Sequence, residues 1–314
     1  MKRYLRILAG ILLALVLVCA CAIAAIKAYS LYSNLCRKID YTNNTVYAIH
    51  DTVDRVYQAI QRDSSSYAFD YSWVNQTPAL VAHALGGIQD HTYTNSLEAF
   101  EHNHALGHRV FEVDLDITDE YIPIASHDEA RWRELSGAAE ETPYTHSAFM
   151  SQSILSEYTP LDYRAVIDLM IRYPDIYIIT DTKYSDHATV LVQFSQLVKY
   201  AAEAGKNVLD RIIPQVYHQD MLHWIMSVHP FKSVILTLYS SAIDPQTAYT
   251  ICEQTGVRYI TAPEAWITAE AMEIWNHLGM TVAAHTVNDR SSMEKLLKLG
   301  VDIIYTDFLS PADL

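Results

Sequence analysis

The chain has 314 residues, of which 50% are hydrophobic and 19% are charged, so it is long enough to bury a full core. Its formal net charge is −15. An acidic balance argues against a nucleic-acid partner, because phosphate backbones select lysine- and arginine-rich faces. The low content of glycine (9) and proline (10) argues against disorder and against a β-sandwich with many tight turns.

The N-terminal segment predicts a membrane helix. Ile7–Ile26 contains no charged residue, and its 20 residues match the hydrocarbon thickness of a bilayer. Positive charge is denser before the segment (Lys2, Arg3, Arg6) than after it (Lys27). This asymmetry places the N-terminus in the cytoplasm. We therefore expect a single-pass protein of the cell membrane, with the rest of the chain extracytoplasmic.

A cleaved signal peptide is the alternative for this segment. Small residues such as Ala22 and Ala25 are compatible with a cleavage site. Hydrophobic regions of signal peptides run to about 7–15 residues, and this one is longer. The length therefore favours an uncleaved anchor.

Three regions are expected along the chain: the membrane anchor (1–27), a polar stalk or linker (28–78), and one large domain (79–314). The alternative for the second region is an N-terminal helix packed against the domain. In the third region, short apolar runs alternate with helical periodicity. The strand-like runs are Leu80–His83, Val110–Leu115, Ile176–Thr180, Arg211–Val216, Ser233–Leu238, Arg258–Thr261, Thr281–Ala284 and Asp302–Tyr305, with a short extra run at Ile122–Ser126. The helical segments are Leu97–Leu106, Leu161–Arg172, Ala188–Glu203, Met221–Val228, Pro245–Thr255, Ala269–Leu278 and Ser291–Leu299. Eight strands alternating with helices predict a (β/α)8 TIM barrel, with a doubly wound open sheet as the alternative.

Carboxylates lie on two of the predicted strands. Glu112 and Asp114 are two residues apart in the second run, so their side chains share one face of the strand. In a barrel that face is the interior, where two carboxylates are costly without a cation. Asp181 and Lys183 alternate in the same way after the third run. The pattern favours metal ligation by Glu112, Asp114 and Asp181 over a solvated strand face or a strand-end salt bridge.

Two histidines also end predicted strands. His83 follows the first run, and His127 follows the extra run and precedes Asp128. A carboxylate can orient an imidazole through its second ring nitrogen, and we expect Asp128 to do so for His127. Further polar residues expected at the same end are Gln215, His285, Asn288 and Asp307. A surface position is expected for the histidines at 91, 102, 104, 108, 146, 187, 218, 223, 229 and 277.

These residues resemble the glycerophosphodiester phosphodiesterases, a branch of the phosphatidylinositol-phospholipase-C-like phosphodiesterase barrels. The resemblance covers about Ala79 to Leu309, and both the order and the spacing of the motifs agree. The motifs are His83, the segment Thr94–Phe100 (TNSLEAF), Glu112-Val113-Asp114, His127-Asp128, Asp181-Thr182-Lys183, Thr286-Val287-Asn288, and Gly300-Val301-Asp302 with Thr306-Asp307.

The resemblance implies that Glu112, Asp114 and Asp181 bind a divalent metal and that His83 and His127 form the acid–base pair. It also implies that Lys183 contacts the substrate phosphate. Two positions depart from the family. Ala84 stands where the family has an arginine that clamps the phosphate, and Asp181 stands where it has a glutamate. The first departure weakens the case for small glycerophosphodiesters, and the second bears on metal preference.

The sequence thus predicts a phosphoric diester hydrolase that uses Ca²⁺ or Mg²⁺, since these ions prefer oxygen ligands. The expected substrates are glycerophosphodiesters, cleaved to glycerol 3-phosphate and an alcohol. The alternative substrates are membrane lipids, cleaved by a lysophospholipase D or a phosphoinositide-type phospholipase. An alternative of another class is a catalytically inactive, membrane-anchored barrel used for binding or sensing.

Overall fold

The computed structural model describes residues 66–205, 207–239 and 243–314. The predicted membrane helix (Ile7–Ile26) and most of the predicted linker lie outside these residues. Nine β-strands and nine α-helices occur within them. In this described part, no helix is both long enough and apolar enough to cross a membrane.

Eight parallel strands form a closed barrel. β1 pairs with both β2 and β9, which closes the ring and excludes the open-sheet alternative. The predicted (β/α)8 architecture is therefore confirmed, and no strand end differs from its prediction by more than two residues. The barrel strands are β1 (Leu80–Ala82), β2 (Val110–Ile117), β4 (Tyr177–Thr182), β5 (Ile212–Val216), β6 (Ile235–Thr237), β7 (Tyr259–Pro263), β8 (Thr281–His285) and β9 (Ile303–Thr306).

The ninth strand, β3 (Pro123–Ala125), is the short extra run seen in the sequence. It pairs antiparallel with the end of β2, with Ala125 opposite Leu115 and Pro123 opposite Ile117. β2 thus extends past the barrel rim, and the hairpin brings the chain back to His127 at the carboxyl ends of the strands.

The helices surround the barrel, and seven of them match the predicted segments to within two residues. In the described part, eight of the nine begin after an Asp, Ser or Thr whose side chain accepts a backbone N–H, which satisfies an otherwise unpaired donor. Two short helices, α2 and α3, were not predicted. The set is α1 (Leu97–Ala105), α2 (Glu129–Ser136), α3 (His146–Ser151), α4 (Tyr163–Arg172), α5 (His187–Ala204), α6 (Gln219–Val228), α7 (Pro245–Thr255), α8 (Ala269–Asn276) and α9 (Arg290–Leu299).

The barrel interior is built in layers, as the alternation of strand side chains requires. A buried layer holds one residue from each strand and an additional tyrosine, namely Val81, Val110, Ile179, Ile213, Ile235, Tyr259, Ala283, Ile303 and Tyr305. Two residues further along the same strand faces, the side chains become polar. They include His83, Glu112, Asp181, Gln215, Thr237 and His285. The polar layer therefore rests directly on an apolar floor.

The end of the barrel opposite this polar layer is closed by residues before β1. Trp73 is 4% exposed, and its ring stacks on Tyr177 and Tyr259 at centroid distances of 5.5 and 5.8 Å. Its indole N–H donates to Ser233 Oγ at 3.0 Å. The described end of the predicted linker therefore belongs to the packed body of the barrel, which begins before residue 79.

Candidate active site at the carboxyl ends of the strands

Three carboxylates meet at the carboxyl ends of β2 and β4. Asp114 and Asp181 are directly opposite each other in the parallel pair, and Glu112 precedes Asp114 on the same face. One oxygen of each lies within 4.8 Å of the other two, and all three residues are buried. The structure thus brings together the three predicted metal ligands.

Each carboxylate is held by a different element. The backbone N–H of Ala84 donates to Glu112 Oε2 at 2.6 Å, and the Asn95 amide donates to Asp114 Oδ2 at 2.8 Å. The Tyr217 hydroxyl donates to Asp181 Oδ1 at 2.8 Å. The other oxygen of Glu112 is buried and has no hydrogen-bond partner among the described residues.

The contact between Ala84 and Glu112 depends on the turn after β1. Ala84 and Leu85 have φ of 50° and 67°, so the chain leaves the strand by a left-handed turn. Gly86 follows with φ of 88°, and a Cβ there would lie 2.2 Å from the side-chain nitrogen of Asn103. Because only glycine fits this position, Gly86 allows the turn to pack closely onto α1.

Lys183 lies between two of the carboxylates. Its ammonium is 2.8 Å from Asp114 Oδ1 and also contacts Asp181 Oδ2. Burial raises the pKa of Asp114, but the charges of Lys183, His83 and His127 together outweigh burial and keep that pKa below its usual value. Lys183 is therefore a carboxylate partner in this structure, and its predicted contact with the phosphate stays a prediction.

The electrostatics of the cluster fit a cation. Three buried carboxyl groups face one ammonium group, so ionisation of all three would leave an excess of negative charge at a buried position. Burial, followed by the charge of Asp114, raises the pKa of Glu112 to about 8. The raised pKa shows that the negative charge of Glu112 lacks a sufficient positive partner, and one of its oxygens has no hydrogen bond. A divalent ion that prefers oxygen ligands would supply both.

The two predicted catalytic histidines flank this cluster. His83 Nδ1 lies 2.9 Å from Asp307 Oδ1, and its Nε2 lies 3.9 Å from Glu112 Oε2. Burial lowers the pKa of His83, but the hydrogen bond to Asp307 and the charge of Glu112 raise it to about 9. His127 Nδ1 lies 2.7 Å from Asp128 Oδ2, as expected. In both rings a carboxylate binds Nδ1, so Nε2 remains for proton transfer.

Three partners of the site residues were not recognised as such in the sequence. Asp307 was expected at a strand end but was not paired with His83, which is 224 residues away in the chain. Asn288 in turn donates to Asp307 Oδ2 at 2.7 Å and fixes its orientation. The Asn95 side chain binds Asp114 twice: its Nδ2 donates to Asp114 Oδ2, and its Oδ1 accepts the backbone N–H of Asp114. The TNSLEAF motif was the signal for Asn95, although its role was not assigned.

A cavity of about 170 Å³ opens over the cluster. One side carries the histidines and carboxylates, and another carries the uncharged groups Gln215, Thr237 and His285. Within the described residues, Thr237 Oγ1 and His285 Nε2 are buried without hydrogen-bond partners. Burial, followed by the positive charge of His83, lowers the pKa of His285 to about 4, so this ring is neutral near pH 7.

The surface expectation was wrong for three of the other histidines. His108, His187 and His223 are 1%, 7% and 8% exposed. His108 Nε2 bonds to the Leu309 carbonyl at 2.9 Å, and His223 Nδ1 bonds to the Tyr67 hydroxyl at 2.9 Å. Each of these two rings is buried because a distant segment supplies its partner, which the local sequence does not show.

No family model matches the sequence, and no curated protein matches it. Solved structures do match. A glycerophosphodiester phosphodiesterase from Parabacteroides distasonis aligns with a TM-score of 0.59 at 15% identity, over 73% of this chain and 92% of that one. A glycerophosphodiester phosphodiesterase from Thermotoga maritima aligns with a TM-score of 0.54 at 16% identity, over 73% and 94%.

A phosphodiesterase from Oleispira antarctica, solved in complex with the product sn-glycerol-3-phosphate, aligns with a TM-score of 0.57 at 14% identity. The alignment covers 75% of this chain and 95% of that one. These likenesses agree with the resemblance noted in the sequence. The chain therefore has the (β/α)8 fold of the glycerophosphodiester phosphodiesterases, with a cluster of carboxylates and histidines at the carboxyl ends of its strands.

Proposed function

We propose that this protein is a metal-dependent phosphodiesterase that hydrolyses glycerophosphodiesters to glycerol 3-phosphate and an alcohol. The observation that carries the proposal is the buried carboxylate triad placed beside two histidines, each oriented by its own carboxylate. An inactive barrel has no need to keep buried charges of one sign together, because their burial is costly.

Glu112, Asp114 and Asp181 would hold the divalent cation. Their ligand atoms are all oxygens, which suits Ca²⁺ or Mg²⁺ better than a metal that prefers nitrogen or sulfur. When bound, such a cation neutralises charge on the phosphoryl group and polarises its phosphorus–oxygen bonds. The bound cation would give this acidic protein a local positive charge, to which an anionic substrate can bind.

His83 and His127 would carry the protons. The Nε2 atom of one ring takes a proton from the attacking water, or from a neighbouring substrate hydroxyl whose attack gives a cyclic phosphate that water then opens. The Nε2 atom of the other ring gives a proton to the leaving alkoxide, which is otherwise a poor leaving group near neutral pH. Asp307 and Asp128 each bind Nδ1 of their histidine and so fix which ring nitrogen is available.

The uncharged side of the cavity supports a substrate that bears hydroxyl groups. Thr237 Oγ1 and His285 Nε2 are buried and unpartnered, so they lose hydrogen bonds unless a ligand supplies them. Neither group carries charge near pH 7, which suits a polyol such as glycerol. The product found with the Oleispira antarctica protein, sn-glycerol-3-phosphate, is a molecule of this kind.

A substrate panel tests the proposal. The full-length protein is assayed with several glycerophosphodiesters that differ in the alcohol, and with a lysophospholipid, in Ca²⁺ or Mg²⁺ and in excess chelator. Metal-dependent release of glycerol 3-phosphate from the glycerophosphodiesters is expected. Turnover of the lysophospholipid alone would replace the proposed substrate class, and turnover of none in either metal would contradict the proposed activity.

A further inference from the structure

One aromatic side chain contacts both histidines of the site. The ring of Tyr93 has its centroid 4.7 Å from that of His83 and 5.5 Å from that of His127. The interplanar angles are 85° and 84°, so both contacts are edge-to-face, a favourable arrangement for aromatic rings. Tyr93 also lines the cavity over the carboxylates. It therefore links two side chains that come from separate elements of the barrel.

Tyr93 is itself held in an unusual conformation. Its φ is 59°, in the left-handed region that a bulky aromatic residue rarely adopts. Such a conformation persists only where the surrounding structure enforces it, and it is found most often at functional sites. Asn95, two residues later, also has positive φ and binds Asp114 through two hydrogen bonds.

Arg131 also contacts Tyr93 and the backbone of the preceding residue. Its guanidinium lies 5.5 Å from the centre of the Tyr93 ring, and it donates to the Thr92 carbonyl at 3.1 Å. The backbone N–H of Arg131 donates to Asp128 Oδ1, while the other oxygen of Asp128 binds His127. The segment that carries Tyr93 is thus tied to the same helix start that orients His127.

The histidines need such a support. The polar contact that orients each imidazole is made at Nδ1, by Asp307 for His83 and by Asp128 for His127. A single hydrogen bond leaves a ring free to tilt about its axis, which changes where Nε2 points. A contact with the Tyr93 ring opposes that tilt for both histidines at once.

We propose that Tyr93 is a positioning residue whose aromatic ring holds the imidazoles of His83 and His127 in one relative orientation, so that both Nε2 atoms face the phosphate together. The inference rests on the proposed function and adds to it a residue that acts through the histidines. The ring performs this role, and the hydroxyl is not required for it.

The test compares Tyr93→Leu with Tyr93→Phe in the full-length protein with metal present. Misplacement of a reacting group by about 1 Å costs on the order of 10²-fold in rate, so Tyr93→Leu should lower kcat by at least about 10-fold with little change in KM. Tyr93→Phe keeps the ring and should stay within about threefold of the wild type. The loss in Tyr93→Leu should shrink with a p-nitrophenyl leaving group, which needs less proton donation.

Tyr121→Leu is the matched control. Tyr121 is also a partly buried tyrosine with a left-handed backbone, φ 60°, but it lies in the turn between β2 and β3 and does not line the cavity. Wild-type kcat in this variant would show that loss of a left-handed tyrosine alone does not impair turnover. Wild-type kcat in Tyr93→Leu, an equal loss in Tyr93→Phe, or an effect on KM alone would each overturn the proposal.

A second readout does not depend on turnover. Histidine-labelled full-length protein is observed by NMR without substrate, with His83→Gln and His127→Gln used to assign the two rings. Tyr93→Leu should shift both imidazole signals, and Tyr93→Phe should leave them near their wild-type positions. Unshifted signals in Tyr93→Leu would overturn the positioning role whatever the activity. If Tyr93→Leu shifts both signals but the wild-type protein hydrolyses no phosphodiester, the positioning role of Tyr93 stands and only the proposed reaction is contradicted.

Discussion

Glu112 shows how a single buried side chain prepares this site for a cation. Burial and the neighbouring Asp114 raise its pKa to about 8, so without a cation the carboxyl group holds its proton at neutral pH. A metal ligand must be deprotonated, so metal binding would release that proton. Asp114 differs, because Lys183 already keeps it ionised.

This difference predicts distinct outcomes for two variants. Glu112→Gln replaces a protonated acid by a neutral amide of similar size, so the melting temperature without metal should change little. Asp114→Asn removes one partner of Lys183 and should cost roughly 1–3 kcal/mol of stability without metal. Both variants should lose turnover and the rise in melting temperature that Ca²⁺ or Mg²⁺ produces. Thermal unfolding with and without metal measures this, and a full metal-induced shift in either variant would contradict the ligand assignment.

The histidines give a second prediction at this scale. His83→Ala and His127→Ala should each lower kcat by at least about 10²-fold, the usual contribution of general acid–base catalysis. The circular dichroism spectrum should remain that of the wild type. A p-nitrophenyl ester should restore rate selectively in whichever variant has lost the general acid. His102→Ala, which changes an exposed histidine on α1, is the control. A near-wild-type rate in either site variant would remove that residue from the mechanism.

The positions of the proposed metal ligands and catalytic histidines were readable from the sequence, while their hydrogen-bond partners were not. Glu112, Asp114 and Asp181 follow from the two-residue alternation along strands that end at the same rim. The bond between His83 and Asp307 joins β1 to the residue after β9, so it exists only because the barrel closes. The spacing of neighbouring residues in the sequence does not indicate a contact between residues 224 positions apart.

Among the elements, the segment before β1 contributes to the packed core, although its polar composition indicated a linker. Trp73 fills the amino-terminal end of the barrel against Tyr177 and Tyr259. Trp73→Ala should lower the free energy of unfolding by about 3–5 kcal/mol, as expected for loss of a buried aromatic side chain. Because the site lies at the opposite end of the strands, kcat should be unchanged at temperatures where the variant is folded. Denaturant unfolding measures the change in stability, and the phosphodiesterase assay measures kcat. An unaltered free energy of unfolding would contradict the packing role of Trp73.

His108 predicts how the attachment of the C-terminal segment depends on pH. Burial lowers the pKa of this ring to about 4, and its Nε2 bonds to the Leu309 carbonyl. An unfolded chain has a histidine pKa near 6.5, so between about 6.5 and 4 the unfolded state binds the extra proton. The contribution of His108 is therefore present above about pH 6.5 and is lost as pH falls toward 4, by at most about 3 kcal/mol.

His108→Gln tests this, because glutamine can keep the donor to Leu309 and does not titrate. The unfolding free energy of the variant should fall less steeply than that of the wild type between pH 6.5 and 4. Parallel curves for the two proteins over that range would contradict a buried neutral His108.

Prediction at the scale of elements failed where a helix is short. α2 has 8 residues and α3 has 6, and each buries a single side chain, Trp132 or Phe149. Such helices have too little apolar surface to produce a periodic signal. They pack on a small separate cluster with Ile124 and Tyr144 beside the extra hairpin. The predicted helices bury more side chains: α8 also has 8 residues, but it buries Ala271, Met272 and Trp275.

At the scale of the whole molecule, we propose that the chain is anchored by Ile7–Ile26 with the barrel outside the cytoplasm. Deletion of residues 1–30 should give a soluble, active protein, since every reacting group lies beyond residue 79. The protein without residues 1–78 should be less stable than the protein without residues 1–30, because it also lacks Trp73. Protease added to intact cells should digest the barrel. Protection until lysis would reverse the orientation, and a mature form that begins near residues 26–30 would favour a cleaved signal peptide.

We propose that the carboxylate cluster binds a divalent cation and that phosphodiester hydrolysis requires this cation. The most direct measurement is a ³¹P NMR time course of one glycerophosphodiester with full-length protein, first stripped of metal by EDTA and then supplied with Ca²⁺ or Mg²⁺. No product is expected before metal addition, and glycerol 3-phosphate is expected afterwards. Asp114→Asn should form no product in either phase. Glycerol 3-phosphate formed at the same rate in excess EDTA, or by Asp114→Asn after metal addition, would contradict it.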